Sequence, residues 1–507
     1  MITGKNYIGN KLSAKGNKTF TTFNPKLNIP NQYELTEATP EEIDEAVALA
    51  SSAFRVYRNV PGTKRAAFLN AIADEILALG DELLEVYSSE SGLPQGRAMG
   101  ERGRTIGQLR AFADLISDEN WREISIDEAI PGREPLPKPD LRKLLIPLGP
   151  VVVFGASNFP LAFSTAGGDA ASALAAGCPI IVKSHPMHAG TGEMVASAVV
   201  KAAEKTGMPE GVFSNLNSSG IEVGVQLVKH PGVKAVGFTG SIRGGRALYD
   251  IAASREEPIP VFAEMGSINP VIMMPGAMEN RREQLATTYA SSITLGTGQF
   301  CTNPGLLLCM KNDASDAFIE DLAQKTVAVD AQCMLHPNIK ANYDKMRSSI
   351  SAQEGLEVVA EYETATQENF AASQIAKVSG ASFLANKNLH HEVFGPFSMV
   401  VQCKDEEELV NIIDQLEGQL TGTLIADEEE YQDLGTIVDT LQQRVGRIIF
   451  NGVPTGVEVC ASMTHGGPYP ASTDSRYTAV GINAIKRWVR PFSFQDFPKE
   501  LLPEALK

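Results

Sequence analysis

Cysteine is scarce in this sequence: Cys178, Cys301, Cys309, Cys333, Cys403 and Cys460 are six in 507 residues, and none forms a CxxC pair. Such spacing excludes a disulfide scaffold, and no metal is expected. Positive charge is also short. The 44 Lys and Arg against 61 Asp and Glu leave a formal net charge of -17, which repels phosphate backbones and anionic lipid, so no nucleic acid partner is expected. No apolar run reaches membrane-spanning length, which argues against a membrane partner. Met1 to Phe20 mixes Lys, Asn and Gly and has no apolar signal-peptide core, so nothing there directs export and a cytoplasmic location is expected. What is present is ordinary globular composition, 43% hydrophobic and 21% charged. A chain of this length exceeds what one core serves, so at least two domains with a ligand-holding cleft are expected.

Thr39-Pro40-Glu41-Glu42 supplies an N-cap, a first-turn proline and an acid three residues on, ahead of an apolar face of Ile43, Ala46, Val47, Ala50 and Phe54. Further helices are expected from about Thr63 to Leu79 and from Gly100 to Ile116, the latter placing Arg104, Gln108 and Phe112 on one face. From Leu144 onward, β-branched runs at Val151-Phe154, Ile180-Val182, Val212-Leu216, Ala235-Phe238 and Val261-Ala263 alternate with helical stretches. That order predicts a parallel α/β sheet with its chemistry at the carboxyl ends of the strands. After Gly266 the pattern restarts, with a helix from Arg282 to Leu295, as a second α/β domain. Ala129 to Lys143, with four prolines, reads as a projecting arm.

Three strand-tip or loop segments carry candidate chemistry. Gly298-Gln299-Phe300-Cys301-Thr302-Asn303-Pro304-Gly305 places a thiol in a glycine-bracketed turn, as a nucleophile requires. Glu264 ends a buried strand two residues before Gly266, a setting for a general base. Asn158, in Ser157-Asn158-Phe159-Pro160, ends another strand, where its amide can donate to an oxyanion. Val236 to Gly245 reads as strand, turn and helix start, offering backbone N–H groups to a phosphate. Alone, each has a commoner bland reading: an incidental loop cysteine, a solvated acid, an ordinary turn.

In this order the segments resemble the aldehyde dehydrogenase superfamily over nearly the whole chain. The resemblance rests on Asn158-Phe159-Pro160, Lys183, Phe238-Thr239-Gly240-Ser241, Glu264 with Gly266 and Asn269-Pro270, Gln299 with Cys301-Thr302 and Pro304-Gly305, and Glu392-Val393-Phe394-Gly395-Pro396. It implies a Rossmann-like cofactor domain from residues 1–128 and 144–265, an α/β catalytic domain from 266–465, and a small β oligomerisation arm and tail from 129–143 and 484–507. It further implies that Cys301 attacks the aldehyde, that Asn158 and the Cys301 N–H hold the oxyanion, and that Glu264 activates water to hydrolyse the thioester. Lys183, Ser184, Thr239, Gly240, Ser241, Gly245, Glu392 and Phe394 would hold NADP or NAD. Many NAD-preferring members carry a glutamate three residues after the lysine. Here that residue is Pro186, which removes a repulsion against a 2′-phosphate and leads to an expectation of NADP preference or dual use.

Met1-Ile2-Thr3-Gly4-Lys5-Asn6-Tyr7-Ile8-Gly9, Gly103-Arg104-Thr105 with Gly107-Gln108-Leu109-Arg110, and His465-Gly466-Gly467-Pro468-Tyr469-Pro470 are similar to the bacterial 2-oxoglutarate semialdehyde dehydrogenases and the related NADP-using enzymes of luminous bacteria. That branch implies a small semialdehyde substrate, with Arg104 facing its carboxylate through a planar fork and Gln108 and Phe159 beside it. His465 is a candidate for moving the thiol proton, or else a structural loop histidine. Alternatives are a broad or long-chain aliphatic aldehyde, acyl transfer to coenzyme A, and a catalytically silent binding homologue. A homodimer or homotetramer is expected.

Overall fold

The computed structural model describes residues 2–364 and 367–507; Met1, the first residue of the opening motif, lies outside the described residues. The capping box forms as the sequence implies: Thr39 Oγ1 accepts from Glu42 N and Thr39 N donates to Glu42 Oε2, starting helix Pro40–Tyr57.

Two seven-stranded sheets organise the chain. In the first, Val261–Glu264, Ala235–Thr239, Val151–Phe154, Ile180–Lys183 and Phe213–Leu216 run parallel in that spatial order, and the N-terminal pair Asn6–Ile8 and Lys11–Ser13 extends the edge antiparallel. The chain leaves the central strand Val151–Phe154 in one direction and later returns to its other side, so the strand order reverses between Val151–Phe154 and Ala235–Thr239. A crevice opens at the carboxyl ends at such a reversal. Asn158, Lys183, Ser241 and Glu264 all follow or end strands on that edge.

The second sheet runs Glu357–Glu361, Gln374–Ser379, Phe397–Cys403, Leu306–Met310, Val271–Met273, Gln419–Ile425 and Val445–Phe450, parallel except for its first strand. It contributes functional candidates from the opposite end. Cys301 precedes Leu306–Met310, Glu392 and Phe394 precede Phe397–Cys403, and Asn269 precedes Val271–Met273.

Two helices start earlier than the sequence suggests. Gln95–Leu115 begins behind Pro94, because buried contacts at Ala98 and Glu101 outweigh the low propensity of Gly96 and Gly100. Pro275–Thr294 is kinked at Arg281, whose guanidinium leaves the helix path to meet Asp427 at 2.8 Å. The proline-rich arm residues lie between Ser125–Asp127 and Leu141–Pro147, and the latter is the central strand of a three-stranded sheet, pairing with Ser125–Asp127 on one side and Val489–Gln495 on the other. Leu141–Pro147 therefore runs continuously across the expected boundary at residue 143.

Candidate active site

The thiol turn is built from backbone that side chains rarely permit. Gly296, Thr297 and Gly298 take positive φ in succession, and a Cβ on Gly298 would sit 2.1 Å from Gly395 O. Glycine there lets the Cys301 turn lie directly against the segment that follows Glu392. From the other side, Asn269 Nδ2 lies 2.9 Å from both Cys301 O and Asn303 O. Asn269 itself has φ 48°, a left-handed conformation asparagine tolerates. Thus Asn269 fixes the turn without touching the sulfur, a positioning role that local sequence patterns did not reveal.

Around the sulfur, three groups converge. Cys301 Sγ lies 3.5 Å from His465 Nε2, and that nitrogen lies 3.0 Å from Glu264 Oε1. Glu264 and His465 are 3% and 1% exposed, so these two groups are shielded from bulk water while Cys301 between them is partly exposed. Neither Glu264 oxygen has an aligned hydrogen-bond donor among the described residues, and His465 Nδ1 is likewise unpartnered. The backbone of His465 is pinned instead, its N–H donating to Thr478 Oγ1 and its carbonyl accepting from Ala479 N. Burial, followed by the Glu264 charge and the more distant Glu392, pushes the Cys301 thiol well above its ordinary value, while Arg104 pulls it back. In this closed arrangement the resting thiol is protonated, and Glu264 and His465 are the groups close enough to take its proton.

Asn158 is buried, and its Nδ2 donates one hydrogen to Gln299 O at 3.0 Å. The amide has a second hydrogen available for an oxyanion. The loop that carries Asn158 is anchored by a residue the sequence did not flag: Glu101 Oε1 accepts from Leu161 N and Ala162 N at 2.8 and 2.9 Å, and Glu101 Oε2 accepts from Tyr87 Oη.

Arg104 reaches the same region from helix Gln95–Leu115. Its guanidinium stacks 5.4 Å from the Phe163 ring, and its buried Nε and Nη2 have no partner among the described residues. Burial lowers its proton affinity, and Cys301, Glu101 and Glu264 raise it. A second cation, Arg447 on Val445–Phe450, also feels Cys301; two of its nitrogens hold Met463 Sδ and Gly456 O, and its buried Nε has no partner among the described residues. Phe159 packs edge-on against Phe163 and Phe300, under the Arg97 guanidinium. Gln108, expected beside Arg104, donates from Nε2 to Ala162 O at 3.1 Å and so braces the Asn158 loop.

The cofactor candidates form a second group along the crevice. Ser241 caps helix Ile242–Ala253 through Gly244 N, leaving the Ile242 and Arg243 N–H groups without intrahelical partners. Gly240 N donates to Glu264 O, tying this turn to the tip of the neighbouring strand that follows Thr239. A Cβ on Gly245 would lie 2.6 Å from Met265 Sδ, so glycine lets this helix start pack closely on the sheet without moving Met265. Lys183 is buried with Ser218 O as its hydrogen-bond acceptor, burial lowers it to about 8, and Ser184 Oγ beside it has no partner among the described residues. His185 turns into Met187 N and stacks on His188. Burial holds it well below its usual range, so it is neutral and Lys183 is the cation at this end. Glu392, pushed up to about 7 by burial, approaches Gly266 closely, and with Phe394, Ser267, Phe300 and Asn303 it lines a narrow cavity on the thiol side. Free helix-start N–H groups, a buried lysine and an unpartnered serine fit a dinucleotide lying along the crevice.

The family model that matches this chain, the aldehyde dehydrogenase family, covers residues 12–485. Alpha-ketoglutaric semialdehyde dehydrogenase 2 of Azospirillum brasilense is 48% identical over 100% of this chain and 97% of its own length. The alpha-ketoglutaric semialdehyde dehydrogenase of Acinetobacter baylyi is 44% identical over 99% of this chain and 96% of its own. A solved structure of 1-pyrroline-5-carboxylate dehydrogenase from Thermus with bound NAD shares the fold at TM-score 0.83 and 20% identity, covering 97% of this chain and 92% of that one.

Proposed function

The chain belongs to the aldehyde dehydrogenase family, and from that premise we propose that its substrate is 2-oxoglutarate semialdehyde, oxidised to 2-oxoglutarate. The enzyme is an aldehyde dehydrogenase using a nicotinamide dinucleotide. The observation that carries the substrate is Arg104: a half-buried guanidinium whose buried Nε and Nη2 have no partner among the described residues, electrostatically coupled to the thiol and 5.4 Å from the Phe163 ring. Such a group is costly unless an anion satisfies it, and a semialdehyde bearing a carboxylate does so while its aldehyde meets Cys301. The two curated relatives, both named for this substrate, point the same way.

In the proposed reaction the Cys301 thiol passes its proton toward His465 or Glu264, and its sulfur adds to the aldehyde carbon. Asn158 Nδ2 and the Cys301 N–H hold the resulting oxyanion. Oxidation of this adduct to a thioester needs a hydride acceptor, which a bound nicotinamide would supply. With the thiol's first proton released to solvent, Glu264 takes a proton from water as the water attacks the thioester and passes it to the departing sulfur, releasing the carboxylate and restoring the thiol. Lys183, Ser184, Thr239, Gly240, Ser241, Gly245, Glu392 and Phe394 would hold the cofactor.

Arg104→Met is expected to lower kcat/KM for the semialdehyde by about 30- to 1000-fold, the scale of about 2–4 kcal/mol for losing one partner of a buried charge pair. The value for hexanal should change little. The alternative of a broad aliphatic substrate draws on the aromatic wall of Phe159, Phe163 and Phe300; equal losses on both aldehydes, or better wild-type use of hexanal, would favour it.

The proposal extends to use of either NADP or NAD. Pro186 places no carboxylate near the ribose, and Glu37, close to Lys183, is already engaged by Lys18 and Ser219. Steady-state kcat/KM for the two cofactors should agree within about tenfold, or ~1.4 kcal/mol; a far higher KM for NADP contradicts this.

We place the protein in the cytoplasm, where its six cysteines would stay free; among the described residues no helix is long and apolar enough to cross a membrane. The proline-rich arm exposes Ile130 and Leu136, and the three-stranded sheet beside it exposes Ile126 and Phe492, apolar surface suited to a second copy. Sedimentation should show a homodimer or homotetramer, and a monomer at assay concentration removes that part of the proposal.

A further inference from the structure

We infer that Cys301 Sγ, His465 Nε2 and Glu264 Oε1 form a binding site for a thiophilic divalent cation such as Zn²⁺, which would occupy the resting active site and block it. These three ligand atoms all lie within 4.8 Å of one another. Bonds of about 2.3 Å to sulfur and about 2.0 Å to nitrogen and oxygen, at tetrahedral angles, separate sulfur from nitrogen by about 3.5 Å and nitrogen from oxygen by about 3.3 Å. The structure has 3.5 Å between Cys301 Sγ and His465 Nε2, and 3.0 Å between His465 Nε2 and Glu264 Oε1. One edge of a zinc tetrahedron therefore matches, a second is within about 0.3 Å, and the third, between the sulfur and the carboxylate, lies within 4.8 Å.

Thiolate, imidazole and carboxylate are all common zinc ligands, and three protein ligands leave a fourth position for water. The cluster is also hungry for a partner. Glu264 has no aligned donor and no other cation at ion-pair distance among the described residues than a protonated His465. Binding exchanges the Cys301 S–H bond for a sulfur-to-zinc bond, releases the proton to solvent and displaces water from the ion, with no electron transferred.

Two features make the site exchangeable rather than resident. His465 Nδ1 has no acceptor among the described residues to orient the ring from behind, an omission that costs metal sites about 10- to 100-fold in affinity. Arg104 opposes a dication through the same field that stabilises a thiolate. The ion would take the sulfur lone pair and the Glu264 carboxylate together, so it inhibits both halves of the proposed reaction.

The test uses the full chain without cofactor and follows iodoacetamide modification of Cys301 by peptide mass. Zinc chloride in a few-fold excess over protein should slow modification at least about tenfold, and EDTA should restore it. Cobalt(II) in place of zinc should give a thiolate-to-metal charge-transfer absorption. Either His465→Ala or Glu264→Gln should raise the zinc concentration needed for protection at least about tenfold, the scale of losing one of three ligands. Unchanged modification of Cys301 at zinc levels that stop turnover would overturn the site and place inhibition elsewhere, for example at exposed Cys460. Undiminished protection in both variants would overturn it as well. Because modification requires no turnover, either failure leaves the dehydrogenase reading intact.

Discussion

Cys301→Ser is expected to lower kcat on the order of 10⁴-fold or more, with nicotinamide dinucleotide binding retained. Serine keeps the size and the backbone of the turn but places a far less acidic hydroxyl where the sulfur stood. The surroundings make this worse. Burial and the Glu264 charge already raise the thiol, and the same forces act more severely on an alkoxide. Direct titration of cofactor binding separates a chemical defect from a folding defect. The turn is held by Asn269 Nδ2 on the Cys301 and Asn303 carbonyls, neither of which the substitution alters.

Glu264→Gln carries the second large effect and splits into two opposite signs. Turnover should fall by about 10²- to 10⁴-fold, the usual contribution of a general base, because glutamine cannot take a proton from water. The resting thiol should become more reactive. After burial, the nearby Glu264 charge is the next influence that raises the Cys301 thiol, so removing it moves the thiol down toward its ordinary value. More thiolate is then present at a given pH, and alkylation near neutral pH speeds up, with its pH profile displaced to lower pH. Slower alkylation alongside slower turnover would mean that Glu264 chiefly activates the sulfur rather than water.

The sequence disclosed what is local. The Thr39 to Glu42 capping box, the five parallel strands and the order of segments around Cys301 each rest on residues a few positions apart, and the structure reproduces them. Contacts that hold the site together span long stretches of chain and leave no local trace. Glu101 anchors Leu161 and Ala162 from 60 and 61 residues away, Asn269 grips the carbonyl of Cys301 across 32, and Arg447 comes from the far strand of the other sheet. Gln108 shows a contact of the same long-range kind. It shares a helix face with Arg104, but a one-turn displacement along the helix is enough to aim it at Ala162 O and a bracing role. His465 was legible only as a candidate, because a histidine in a glycine-rich loop reaches a thiol 164 residues away through two sheets, not through spacing.

The most direct measurement is a rapid-quench experiment on Glu264→Gln mixed with 2-oxoglutarate semialdehyde and cofactor, followed by peptide mass analysis. If Cys301 carries the substrate as a thioester and Glu264 serves its hydrolysis, an acyl adduct accumulates on the Cys301 peptide with about one reduced nicotinamide formed per active site. A burst with no adduct on Cys301, or an adduct on another residue, contradicts the assignment of this thiol as the nucleophile.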